Sequence, residues 1–192
     1  MCGCVALLKR TPPKRRRMGL TNYRKRLKLI KSGLPRLVIR RTNRYVIVQA
    51  IQSLAGGDRT LTATVSKELR KLGWNGGLKN TPAAYLTGFL AGMKMKRLGI
   101  KKLVADLGLF SKASRLYAVI KGIIDAGIEV PVSEDVLPSE ERLKGTHIRE
   151  YFEKVSQEPF VKIFTKVDKE AYSKLEEHVE EVKQKILSEV SK

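Results

Sequence analysis

Residues 34–65 read LPRLVIRRTNRYVIVQAIQSLAGGDRTLTATV, and this segment decides the fold. It holds three runs rich in β-branched residues, at 35–41, 45–52 and 60–65, which are separated by the turn sequences TNR and GGD. Short runs of this kind, joined by turns that contain Asn or Gly, are typical of β-hairpins. The segment therefore predicts three consecutive antiparallel strands.

The residues that follow predict two helices and a further strand. Pro82 suits the first turn of a helix that continues to about Leu98. The other elements expected here are a short helix or turn at 66–72, a buried strand at 101–107, a helix at 114–126 and a short strand at 128–130. Small residues on one side of the first helix predict close packing of its backbone onto the sheet: Ala84, Gly88, Ala91 and Gly92. The order βββαβα predicts an α/β (α+β) domain in which a three-stranded antiparallel sheet is extended by a further strand and packed by two helices.

Positive charge is concentrated at the start of the chain. The formal net charge is +20, from 39 Lys and Arg against 19 Asp and Glu. Residues 1–44 contain fifteen Lys and Arg and no acid, whereas residues 131–192 contain eleven against fourteen acids. Such an excess attracts polyanions such as nucleic acid or an anionic membrane surface. We expect three parts: a basic RNA-binding arm at 1–32, a globular domain at 33–130 and a C-terminal extension with helices at 131–192.

The extension carries two helical patterns. One spans Ile148–Val155, and a longer amphipathic helix is predicted from Asp168, as its cap, to about Val190. The apolar stripe of this last helix consists of Leu175, Val179, Val182, Ile186 and Val190.

The arm is the strongest candidate for an RNA contact. Residues 9–31 are too charged to bury themselves, and Thr21-Asn22 is typical of a helix N-cap. Cations here would contact phosphates, where each contact releases condensed counterions, and Tyr23 would stack on an unpaired base. A nuclear-localisation-like or membrane-adhesive run is the alternative, although adhesion to a membrane favours a helix with Trp or Phe anchors. The predicted contacts are Arg15, Arg16, Arg17, Asn22, Tyr23, Arg24, Lys25, Arg26 and Lys28.

Further RNA contacts are predicted in the folded middle, each with a structural alternative. Polar residues of the first hairpin either contact RNA or guard a solvated strand edge; they are Arg36, Arg40, Arg41, Asn43 and Arg44. Trp74, beside Asn75 and two glycines, either stacks on a base or anchors a packed loop. Residues 111–115, which include Lys112 and Arg115, either hold a phosphate at a helix start or simply cap that helix.

The sequence offers little for catalysis. His147 and His178 are the two histidines, and neither a Walker A sequence nor a dinucleotide-binding glycine pattern occurs. Cys2 and Cys4 form a C-x-C pair that cannot fill a tetrahedral zinc site alone, so we expect incidental thiols. We therefore expect no enzyme, catalytic residue, metal, cofactor or small-molecule substrate. A nuclease and a free RNA chaperone remain the alternatives to a structural RNA-binding protein.

Several of these motifs together resemble one family, ribosomal protein L-eighteen of the archaeal and eukaryotic type. The resemblance rests on RRRMGLTNYRKRL at 15–27, PRLVIRRTN at 35–43 and NTPAAYLTG at 80–88, with LAG at 90–92. Residues 106–109, 127–131 and 137–142 are also similar, so the resemblance covers roughly residues 15–150.

The resemblance implies a structural constituent of the large ribosomal subunit. Members of this family bind 5S rRNA and help attach it to 23S rRNA in the central protuberance, among neighbouring large-subunit proteins. It also implies a mixed sheet with helices on it, and RNA contacts through the arm and the basic surface of the sheet. No apolar run approaches the roughly 18–20 residues that span a bilayer, so we expect a cytoplasmic, ribosomal location without a membrane partner.

Overall fold

Four strands form one mixed sheet in the computed structural model, which describes residues 11–110, 113–156 and 172–191. The strands are β1 (Arg36–Arg41), β2 (Val46–Leu54), β3 (Gly57–Val65) and β4 (Val104–Asp106), in the order β3-β2-β1-β4. β1, β2 and β3 pair antiparallel, whereas β4 joins β1 in parallel. The predicted mixed α/β architecture is confirmed at this level.

Helices surround the sheet and form the described part of the arm. Their bounds are α1 (Lys14–Arg17), α2 (Tyr23–Ile30), α3 (Thr81–Arg97), α4 (Ser114–Asp125), α5 (Glu140–Lys144), α6 (Thr146–Ser156) and α7 (Leu175–Ser191). Two 3-10 helices lie at Ser66–Arg70 and Glu134–Val136. None of these described helices is long and apolar enough to cross a membrane.

The strand predictions fail in detail around β4. The strand predicted at 101–107 is reduced to Val104–Asp106, and the short strand expected at 128–130 is a single parallel bridge between Lys102 and Glu129. Pro131, which lacks a backbone N–H, prevents further pairing beyond that bridge. The exact predicted topology is therefore not matched, because the further strand has only three residues and the segment at 128–130 contributes a bridge instead of a strand.

The two faces of the sheet have different surroundings. Because side chains alternate along a strand, Leu37 and Ile39 of β1 point to one face and Arg36, Val38 and Arg40 to the other. Leu37 and Ile39 are fully buried, and they join the core formed with α3 and α4. The opposite face is the one beside α2, so any binding surface on the sheet must lie there.

Gly88 and Gly92 of α3 pack against α4 rather than against the sheet, which corrects the predicted partner at these two positions. A Cβ atom added at Gly88 would lie 2.2 Å from the Val119 carbonyl oxygen, and one added at Gly122 would lie 2.3 Å from the Tyr85 carbonyl oxygen. Only glycine permits such an approach between two helix backbones. α3 and α4 therefore form one rigid layer that covers the apolar face of the sheet.

The last helix contributes to the same core. Its predicted stripe is confirmed for Leu175, Val179, Val182 and Ile186, which are all buried. The side chain of Val190 and the predicted start at Asp168 lie outside the described residues, as do Cys2 and Cys4. The proposed division into arm, domain and extension stays a prediction.

Gly88→Ala should destabilise the protein by about 1–3 kcal/mol or more, because the added methyl group overlaps the α4 backbone. This penalty exceeds the roughly 1 kcal/mol that alanine gains over glycine inside a helix. The free energy of unfolding in urea measures the effect. Gly56→Ala is the matched control, since its added Cβ meets open space, and it should change stability by less than about 1 kcal/mol. Equal stability of the two variants would contradict the close α3–α4 contact.

Candidate RNA-binding surface

The arm helix α2 starts where the sequence predicts. Asn22 is its N-cap, and its side-chain oxygen accepts a hydrogen bond from the Lys25 backbone N–H at 3.1 Å. This bond satisfies one of the N–H groups that a helix start leaves without a partner. Tyr23, Leu27 and Ile30 form the apolar stripe of α2 but remain exposed, Tyr23 at 37%. Polar contacts rather than burial of that stripe must therefore hold α2 in position.

An arginine–aspartate cluster provides those contacts. Arg36 of β1 bonds through Nη2 to Asp58 Oδ2 at 2.6 Å and through Nη1 to Asp106 Oδ2 at 3.0 Å. Arg26 of α2 reaches the same Asp58 oxygen at 2.7 Å, and Arg40 reaches Asp106 Oδ1 at 3.3 Å. The cluster thus ties the arm to β3, β1 and β4.

The charge state of Asp58 depends on this cluster. Partial burial alone would raise its pKa, but a hydrogen bond donated by the Ser53 hydroxyl and the nearby guanidinium groups of Arg36 and Arg26 together hold the pKa below its usual range. Asp58 therefore stays ionised to a lower pH than an ordinary aspartate does.

Arg36 is a correction to the predicted contacts. Its side chain is only 4% exposed and both ends of its guanidinium group are bonded to aspartates, so it is not available to an RNA phosphate. Arg40 also bonds to Asp106, yet 43% of its side chain is exposed and it lines the groove described below. Sequence reasoning assigned both arginines to RNA because the two aspartates lie far along the chain, at separations of 22 and 70 residues from Arg36.

Trp74 is a second correction. It is 1% exposed and stacks on His178 of α7, with ring centroids 5.2 Å apart and planes 13° from parallel. Its indole N–H donates to the Gly77 carbonyl oxygen at 3.3 Å, while His178 Nε2 accepts from the Asn75 N–H at 3.3 Å. Trp74 is therefore the anchor of a packed loop, as the structural alternative held, and it cannot stack on a base.

Most of the other predicted cations are exposed. Arg15 donates from Nε to the Thr21 hydroxyl at 3.0 Å, whereas no protein partner among the described residues holds the following side chains: Arg16, Arg17, Arg24, Lys28 and Arg44. Lys25 reaches the Gly108 carbonyl oxygen at 3.4 Å, and Asn43 accepts a bond from Lys79 at 3.5 Å. Arg115 is half-buried and donates to the Lys79 carbonyl oxygen at 3.3 Å, while Lys112 lies outside the described residues.

A groove lies between α2 and the open face of the sheet. Its volume is about 580 Å³, and it is bounded by the arginine–aspartate cluster, by Arg15 and Lys25, and by three residues that sequence reasoning missed: Leu20, Leu109 and Phe110. Arg41 covers the Phe110 ring, with the guanidinium carbon 5.2 Å from the ring centroid. The LGLF segment at 107–110 could have indicated these groove residues, because it is an apolar sequence between a predicted strand and the predicted phosphate site.

The charge of this surface is set by exposed cations and by aspartates that are paired with arginines. Among the described ranges 11–110, 113–156 and 172–191, no group of three or more His, Cys, Asp or Glu residues could hold a metal ion. The two aspartates of the groove are paired with arginines, so the net potential is positive and is set by exposed Arg and Lys side chains. Such a surface attracts a polyanion.

Comparisons with known proteins point to one family. The model of a family described as ribosomal large subunit proteins 60S L5 and 50S L18 matches residues 9–105, which contain most of the arm, the antiparallel strands and α3. The chain is 52% identical over 147 residues to large ribosomal subunit protein uL18 of Korarchaeum cryptofilum, covering 76% of this chain and 75% of that protein. It is 44% identical over 181 residues to uL18 of Methanothermobacter thermautotrophicus, covering 92% and 94% of the two chains. It is 43% identical over 188 residues to uL18 of Staphylothermus marinus, covering 94% and 93%.

Asp58→Asn should lower the free energy of unfolding at neutral pH by about 1–3 kcal/mol, because it removes charged hydrogen bonds to Arg26 and Arg36. The pKa of Asp58 is lowered in the folded state, so its contribution is present above the unfolded pKa and is lost as the pH falls through the folded pKa. The stability difference between wild type and variant, measured by urea unfolding, should therefore shrink in acid.

Glu129→Gln is the matched control. It neutralises an equally negative residue whose salt bridge to Lys102 is largely exposed, and it should cost at most about 1 kcal/mol. An Asp58→Asn protein no less stable than this control at neutral pH would refute the role of the cluster.

Proposed function

The chain belongs to the family of large-subunit ribosomal proteins that includes 60S L5 and 50S L18, and on that premise we propose that it is a structural constituent of the large ribosomal subunit that binds 5S rRNA. The observation that carries the proposal is the row of exposed arginines on an arm tied to the sheet by the arginine–aspartate cluster. In this proposal the protein binds rRNA in the ribosome and catalyses no reaction.

The arm supplies most of the proposed affinity. Arg15, Arg16 and Arg17 project from a chain segment that is exposed throughout, and a segment of this shape can follow a phosphate backbone into junctions. Planar guanidinium groups form paired hydrogen bonds with phosphate oxygens, which favours arginine over lysine at such contacts. Holding α2 against the sheet reduces the conformational freedom that the arm must lose on binding.

A second cationic surface supports contact with another RNA segment. Lys67, Arg70 and Lys71 are exposed on and just after the 3-10 helix that follows β3. None of these three residues lines the groove beside α2. We propose that this surface faces 23S rRNA, so that the protein helps attach 5S rRNA to the subunit among neighbouring large-subunit proteins.

A triple substitution of Arg15, Arg16 and Arg17 by Ala should weaken binding to 5S rRNA and flatten its salt dependence. If the wild type contacts about 6–10 phosphates, a plot of the logarithm of its binding constant against the logarithm of salt concentration should have a slope of roughly −4 to −9. The slope of the variant should be smaller in magnitude by about 2–3. Filter binding of 5S rRNA and of tRNA at several salt concentrations measures both slope and preference. The control triple, with Ala in place of Arg142, Lys154 and Lys174, removes the same charge from exposed positions of the extension. Equal binding of tRNA, or equal losses for the two triples, would defeat the proposal.

Tyr23 allows stacking to be separated from charge. The residue is 37% exposed, so Tyr23→Ala should leave the melting temperature of the free protein nearly unchanged and lower 5S rRNA affinity by about 5–150-fold. Tyr23→Phe keeps the ring and should bind almost as wild type. The loss for Arg24→Ala should instead become smaller at high salt, because screening weakens a phosphate contact far more than a stack. A Tyr23→Ala protein that melts lower when free would assign Tyr23 to packing instead.

A further inference from the structure

Three apolar side chains stand exposed around one groove. Leu20 of the arm is 52% exposed, and Leu109 and Phe110 of the loop between β4 and α4 are 61% and 38% exposed. Single apolar residues on a surface are ordinary, but apolar surface gathered in one groove marks a binding site. These three residues take no part in the phosphate contacts proposed above. Their position around one groove indicates a ligand that has apolar surface of its own.

The surroundings of these side chains restrict what that ligand is. Arg15 and Lys25 border the groove, and the guanidinium group of Arg41 lies over the Phe110 ring at 5.2 Å. The acids in the groove, Asp58 and Asp106, are already paired with arginines. An occupant must therefore carry negative charge at its edges and a flat apolar surface at its centre.

We propose that Phe110 stacks on the base of an unpaired RNA nucleotide, whose flanking phosphates meet Arg15 and Lys25. This inference rests on the proposed binding of 5S rRNA and assigns one subsite within it. A nucleobase is planar and offers a π-face to an aromatic ring, while its sugar-phosphate backbone supplies the negative charge. Leu20 and Leu109 then shield the edges of the stacked base from water.

The dimensions and position of the groove agree with this occupant. Its volume of about 580 Å³ lies inside the range of roughly 300–1,000 Å³ that is usual for sites of small organic groups. It opens beside the exposed arm cations, so a nucleotide in it stays continuous with a backbone that follows the arm. The Arg41 guanidinium adds a planar cation to the Phe110 ring and strengthens the attraction to an anionic strand.

Phe110→Ala in the full-length protein should bind 5S rRNA about 5–150-fold more weakly, and this ratio should stay nearly constant between low and high salt. Phe110→Tyr keeps the ring and should bind within about threefold of wild type, which is less than one stacking contact contributes. Leu98→Ala is the matched control, since Leu98 is an exposed apolar residue at the end of α3, away from the groove.

Chemical probing separates stacking from a general loss of structure. With saturating protein, wild type should protect one or more unpaired 5S rRNA bases from dimethyl sulfate, and Phe110→Ala should lose that protection while other protected positions remain. If wild type prefers 5S rRNA to tRNA but Phe110→Ala matches it in affinity and in protection pattern, the stacking subsite alone is overturned. If wild type shows no preference for 5S rRNA, the proposed function fails and this inference fails with it.

Discussion

The buried guanidinium group of Arg36 is the constraint on which the binding face depends. A charge with 4% of its side chain exposed must be neutralised locally, because removing it from water without a partner costs several kcal/mol. Asp106 provides one partner from β4 and Asp58 the other from the start of β3, so one side chain of β1 joins three strands. Asp58 also binds Arg26, and through that bond the arm helix is tied to the sheet.

Packing on the opposite face of the sheet explains why no helix of the core covers the face that carries Arg36 and Arg40. α3 and α4 are joined so closely through Gly88 and Gly122 that they act as a single layer, and this layer covers Leu37 and Ile39. The apolar face needs no other cover, while the face that carries Arg36 and Arg40 remains beside the arm. A rigid support on one side and a charged, grooved surface on the other is what a structural RNA-binding protein requires.

Local patterns predicted the parts of the molecule that depend on neighbouring residues. The strands of the meander, the N-cap at Asn22 and the apolar stripe of the last helix all follow from short-range rules of spacing and capping. Arg36 and Trp74 were assigned to RNA because their partners, Asp106 and His178, lie 70 and about 100 residues further along the chain, and pairing over such distances leaves no periodic signal. Phe110 was missed for a related reason, because a loop residue follows no periodic pattern and only the folded structure places it in one groove with residues of the arm.

In the proposed complex, the arm and the loop after β4 form one RNA-binding surface. Ultraviolet crosslinking of the intact protein to 5S rRNA, followed by mass spectrometric identification of the linked peptides, tests it most directly. We expect crosslinked peptides from both the arm, around Arg15 to Lys28, and the loop at Leu109 and Phe110. Crosslinks confined to α7, at Leu175–Ser191, with none in the arm or the loop, would contradict it.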